Sequence, residues 1–88
     1  MEFVKVLRND DQYKQALFKF GNEYLKYSYV FHQESVGHLQ VPIDETMVFH
    51  TDQDGADITG ESLYEASGYV STAVVMPAVA ARLIERRR

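Results

Sequence analysis

No cysteine occurs in this 88-residue chain. Disulfides and thiolate-bound metals, the usual staples of small domains, are therefore unavailable. A chain of this length buries only about 60% of its unfolded surface, so one modest core must hold it together. The six Tyr and five Phe residues, with the aliphatics, are the material for that core. Hydrophobic residues make up 45% and charged residues 25%, a balance that excludes a disordered polar chain. One domain over residues 1–88 is expected. The cysteine usage fits a reducing, cytoplasmic setting. The longest apolar stretch, residues 73–81, is too short to span a bilayer, so no membrane partner is expected.

Apolar periodicity divides the chain into elements. Residues 3–8 alternate as a strand. Residues 9–12 then read as a helix start, with Asn9 capping the free amide of Gln12 and Asp10 and Asp11 where the helix dipole favours anions. Tyr13, Leu17, Phe20, Tyr24 and Tyr27 follow at steps of four and three, which predicts one apolar stripe on that helix, with Gly21 a weak point inside it. From Tyr27 the period becomes two. Residues 27–32, 39–43 and 47–51 read as three strands joined by short turns, with Pro42 marking an edge. The last third predicts a helix, capped near Thr59 or Ser62 and kinked or restarted at Pro77. Its inward stripe would hold Leu63, Ala66, Val70, Ala73, Val74, Pro77, Ala81 and Ile84. The expected fold class is α+β, a small two-layer sandwich in the order β-α-β-β-β-α. Two helices would cover one face of a mostly antiparallel sheet of three to four strands.

Charge is distributed unevenly. No Lys or Arg lies between Lys26 and Arg82, whereas that interval holds Glu34, Asp44, Glu45, Asp52, Asp54, Asp57, Glu61 and Glu65. A single-sign surface speeds encounter with an oppositely charged partner and rejects wrong ones. The functional expectation is a small non-enzymatic binding factor, an inhibitor or accessory protein. It would dock Asp44, Glu45, Asp52, Asp54, Asp57, Glu61 and Glu65 on a basic protein surface, such as a nucleic-acid-binding channel. Direct nucleic-acid binding is not expected, because the net charge is −4 and no basic face interleaved with aromatics is evident. An alternative is a homodimer formed through the C-terminal helix. Val75, Met76 and Val79 fall off its inward stripe and would supply the seam.

Residues 50–61, HTDQDGADITGE, raise a further alternative, weak divalent-cation binding. With Gly55 sixth, Asp52, Asp54 and Glu61 match the calcium-loop positions, but His50 stands first and Asp57 eighth, where a carboxylate and an apolar residue belong. A structural turn needs only the Asp-Gly pair. His32, His38 and His50 lie on neighbouring predicted strands, yet their spacing matches no known metal site. No nucleophile elbow, phosphate loop or paired metal-ligand motif is present. No catalytic residue, metal site or cofactor is assigned.

Overall fold

A computed structural model of the chain describes residues 1–86. Arg87 and Arg88 lie outside the described residues. The architecture is α+β, but with five strands and one helix. The strands are β1 (Glu2–Asn9), β2 (Tyr13–Phe20), β3 (Glu23–Val36), β4 (Leu39–Thr51) and β5 (Asp57–Ser67), followed by α1 (Thr72–Arg86). All neighbours are antiparallel and the spatial order is the chain order, β1-β2-β3-β4-β5.

The expected first helix is thus a β-hairpin. Gly21 and Asn22 form its two-residue loop between Phe20 and Glu23, with Gly21 at φ 61°. A glycine at the first loop position is what a type II′ hairpin turn requires, and no residue with a side chain replaces it cheaply. The step-of-three-and-four stripe is a by-product of strands apolar on both faces. Phe18 and Phe20 point to one side of β2, and Leu17 and Tyr13 to the other. The segment caps free amides, but at a turn and through Asp10, not through Asn9 as expected; the Asn9 side-chain oxygen instead accepts from Lys14 Nζ. Asp10 Oδ1 accepts from the N–H groups of Gln12 and Tyr13 at 2.9 and 2.8 Å. An Asx turn and a helix N-cap use the same chemistry, so the local sequence fits both.

One face of the sheet carries α1. Leu25, Tyr27, Val48 and Leu63 from the strands pack against Val75, Met76, Val79 and Leu83 of the helix. Leu63 joins this face through a bulge, in which Leu63 and Tyr64 together oppose Val48. The helix therefore presents the face opposite to the one expected. Val75, Met76 and Val79, assigned to an oligomer seam, are at most 2% exposed and belong to the chain's own core. Val74 and Ile84, assigned inward, are 63% and 45% exposed. The helix also starts at Thr72, since residues 57–67 pair with β4 instead of coiling. Ser62 and Glu65 do meet, Oγ to Oε1 at 2.6 Å, as neighbours on a bulged strand and not as a capping box. Pro77 lies inside α1, where it removes one helical hydrogen bond.

The other face has its own small core. Leu17 is fully buried there, outside the cluster beneath the helix. The β4–β5 turn folds back over this face. Lys26 on β3 meets Asp57 at 3.0 Å, and a Cβ built on Gly55 would stand 2.8 Å from Leu7 Cδ1 on β1. Leu7 is the extra residue of the second of two β1 bulges, which also blunt that exposed edge strand.

The β3–β4 hairpin outruns its neighbours. Phe31 N–H donates to Gln12, Gly68 N–H donates to Asp44, and beyond these bonds residues 32–36 and 39–43 pair only with each other. This ribbon helps draw the molecule out to 49 Å by 25 Å by 24 Å. Pro42 sits in it without loss. The Asp44 carbonyl points toward β5, so by the two-residue period the Pro42 nitrogen faces the same side, where the arm has no neighbour.

Thr46, fully buried, fastens the chain between sheet and helix. Its hydroxyl donates to Gly68 C=O at 2.8 Å and accepts from Val70 N–H at 3.0 Å. Thr46→Val leaves both backbone groups without that partner and is expected to cost about 2–3 kcal/mol. Thr46→Ser keeps the hydroxyl and is expected to cost about 1 kcal/mol. Equal denaturant midpoints for the two variants would contradict this. Gly55 and Gly37 supply a second contrast. Both have positive φ, 90° and 63°, but only Gly55 faces a neighbour. Gly55→Ala is expected to lower the melting temperature more than Gly37→Ala, and the gap should narrow in a Leu7→Ala background.

Candidate protein-binding surface

The carboxylates assigned to docking fall into two groups. Asp44, Asp52 and Asp57 are engaged by the fold. Asp44 Oδ2 accepts the Tyr29 hydroxyl at 2.8 Å, an interaction that pushes the Tyr29 phenol above its usual range. Asp57 is paired with Lys26. Asp52 Oδ1 accepts the N–H groups of Asp54 and Ala56 at 2.8 and 3.0 Å, while its own carbonyl and N–H close the turn with Gly55 and Ala56. These backbone donors hold the Asp52 carboxyl below its ordinary value. The residues that resemble a calcium loop are therefore organised around their own amides. Among the described residues no group of three His, Asp or Glu side chains is placed to share a metal ion.

Glu45, Asp54, Glu61 and Glu65 are the second group. None makes an ion pair among the described residues. Glu45 opposes Ser67 and Glu65 opposes Met47, so both project from the face away from the helix and stand diagonally across the β4–β5 ladder. Glu61 lies on the irregular, exposed stretch of β5, and Asp54 at the exposed turn. Asp44 points to the helix-bearing face, opposite to Glu45. The seven residues thus do not share one surface, and the accessible acidic flank is the β4–β5 side.

The three histidines are spread along the β3–β4 hairpin. His38 sits in the loop at the arm's tip, and His32 lies within the arm beside Glu34 at 3.2 Å. His50 is at the opposite end of β4, 3.9 Å from Glu23 Oε1. His50, Glu23, Asp52 and Asp54 line an open depression of about 420 Å³. Glu23 is not legible as a site residue in the sequence, because the three-and-four spacing of the apolar residues around it puts it on the outside of a helix. The β3–β4 pairing that brings it to His50 depends on recognising Gly21-Asn22 as a hairpin loop.

Comparison with family models, with curated proteins and with solved structures returned no match to this chain. Among the described residues no helix is long and apolar enough to cross a membrane.

Acid sensitivity follows from the two turn aspartates. Hydrogen bonds depress Asp10 and Asp52 below 3.8 in the folded state, with Arg8 the leading cause at Asp10 and the Ala56 amide at Asp52. A depressed carboxylate contributes stability that is complete above the unfolded value and is lost as pH falls through the folded one. Thermal melts between about pH 5 and pH 2 are therefore expected to show a shallower decline for Asp10→Asn/Asp52→Asn than for the wild type. An unchanged slope would mean that these turns do not couple to acid unfolding.

Proposed function

We propose that this chain is a non-enzymatic protein-binding factor, an accessory or inhibitory subunit that docks its β4–β5 flank on a basic surface of another protein. The observation that carries this reading is the placement of Glu45, Glu61 and Glu65 on β4 and β5, strands that carry no Lys or Arg of their own. None of the three is in an ion pair among the described residues, although Lys26 reaches Asp57 and Arg82 reaches the Leu63 carbonyl. In a meander strand order equals chain order. Lys5, Arg8, Lys14, Lys19 and Lys26 therefore lie on β1–β3, and Glu45, Glu61 and Glu65 lie on β4 and β5. Glu45 and Glu65, held at the spacing of the β4–β5 ladder, can take the place of phosphates in a groove built for nucleic acid, with Glu61 beside them on the irregular part of β5. Asp54 at the adjacent turn extends the same flank. Asp44, Asp52 and Asp57 take part in folding and are removed from the contact set.

The test is affinity capture from lysate with the wild type and with Glu45→Gln/Glu61→Gln/Glu65→Gln, at low salt and at about 0.5 M salt, where exposed charges are screened within a few ångström. Expected is a retained basic protein that is lost both at high salt and with the triple variant. Asp52→Asn should retain the partner, since that carboxylate serves its own turn. A partner held equally by the triple variant at high salt would remove the electrostatic basis of the proposal.

A further inference from the structure

The outward face of α1 is a second surface, distinct from the acidic flank. No charged residue occurs between Glu65 and Arg82, so the solvent side of the helix carries no charge from Thr72 to Ala81, although most of its residues there are smaller than the buried Val75, Met76, Val79 and Leu83. Val74, Pro77, Ala81 and Ile84 form its midline, and all four are exposed. An amphipathic helix of a lone domain places polar residues there, and a helix apolar all round is normally covered.

We infer that this face is a twofold seam between two copies of the chain, with the helices antiparallel. The steps along the midline are three, four and three, so the pattern reads the same from either end. Crossing two helices at the level of Val79 sets Val74 opposite Ile84 of the second copy and Pro77 opposite its Ala81. Large residues then meet at the ends and small ones near the centre, which lets the backbones approach, and the arrangement is isologous and closed. The same superposition carries Glu85 to the level of the second copy's Ala73. That is the first helical turn, which has no acidic residue of its own. A carboxylate beside a helix N-terminus is attracted by its partial positive charge, and antiparallel helix dipoles attract each other. Arg82 does not obstruct the seam, because its guanidinium turns inward and donates to Leu63 C=O at 2.6 Å.

From Thr72 to Ile84 the seam is about 20 Å long. This is less than a standard interface, so a dissociation constant of about 1–50 μM is expected. Sedimentation equilibrium up to about 200 μM should show a monomer–dimer equilibrium. Ala81→Glu should weaken it roughly a hundredfold by burying an unpaired charge at the centre of the seam. The circular dichroism of that variant should be unchanged, because position 81 faces solvent in the monomer. Glu61→Gln/Glu65→Gln should dimerise normally, which separates this surface from the acidic flank. The chain has no cysteine, so cross-linking is specific. Val74→Cys mixed with Ile84→Cys should give the mixed disulfide, and Val74→Cys alone should give none. A wild type that stays monomeric at the highest concentration overturns the inference. So does an unchanged dissociation constant for Ala81→Glu, or a disulfide between two Val74→Cys chains.

Discussion

The structure turns on one buried hydroxyl. Thr46 lies at the middle of β4, and its oxygen both donates to and accepts from the short crossover that leads from β5 to α1. Tyr27 holds the same segment from β3, its hydroxyl donating to Val70 C=O at 2.6 Å. Burial raises the Tyr27 phenol above its usual range. Gly68, with φ 84°, makes the crossover possible. These bonds set where the helix begins and hence which of its faces meets Leu25, Val48 and Leu63. With the anchor in another register, Val75, Met76 and Val79 would not share one side of contact with the sheet. The buried face is the stripe of large apolar residues Val75, Met76, Val79 and Leu83, and the polar bonds fix where it begins along the chain.

That dependence explains what could be read from the sequence. The α+β character, the strands over 27–32, 39–43 and 47–51, the edge position of Pro42 and a C-terminal helix were all legible, because each rests on local period or turn chemistry. The region 9–27 was not. Its apolar residues serve two cores, one on each side of the sheet, and a strand apolar on both faces imitates a helical stripe. Gly21-Asn22 carried the deciding signal, a two-residue hairpin loop, where a helix would have placed a mere defect. The polarity of the last helix was hidden for a different reason. Val74, Pro77 and Ala81 on the outside are apolar too, so their contrast with Val75, Met76 and Val79 is one of degree, and only Arg82, Glu85 and Arg86 in the last turns mark the outward side by charge. The anchor at Thr46, far away in sequence, fixes where the buried stripe begins.

The acidic surface was legible in composition and only partly in place. The absence of Lys and Arg over residues 27–81 is visible by inspection, and the meander leaves β4 and β5 without cations of their own, but Lys26 and Arg82 both reach β5 from outside that interval. Which carboxylates remain accessible depended on partners that no pattern announces. Asp52 is taken by amides two and four residues on, Asp57 by a lysine from β3, and Asp44 by a tyrosine across the β3–β4 ladder. Glu45 and Glu65 were left together by the bulge at Leu63, which shifts the register of β5 so that the alternation of its side chains changes phase.

Since each strand pairs with the one made just before it, no element has to wait for a distant one. Every hairpin closes a loop of a few residues, and the ladder can zip from β1 onward as the chain leaves the ribosome. Such a topology favours rapid acquisition of structure. The single late event is the docking of α1, which carries apolar residues on both sides. Until the Thr46 anchor engages, nascent chains therefore expose one greasy cylinder without a defined orientation, and the step most open to mispairing between molecules is the last one made.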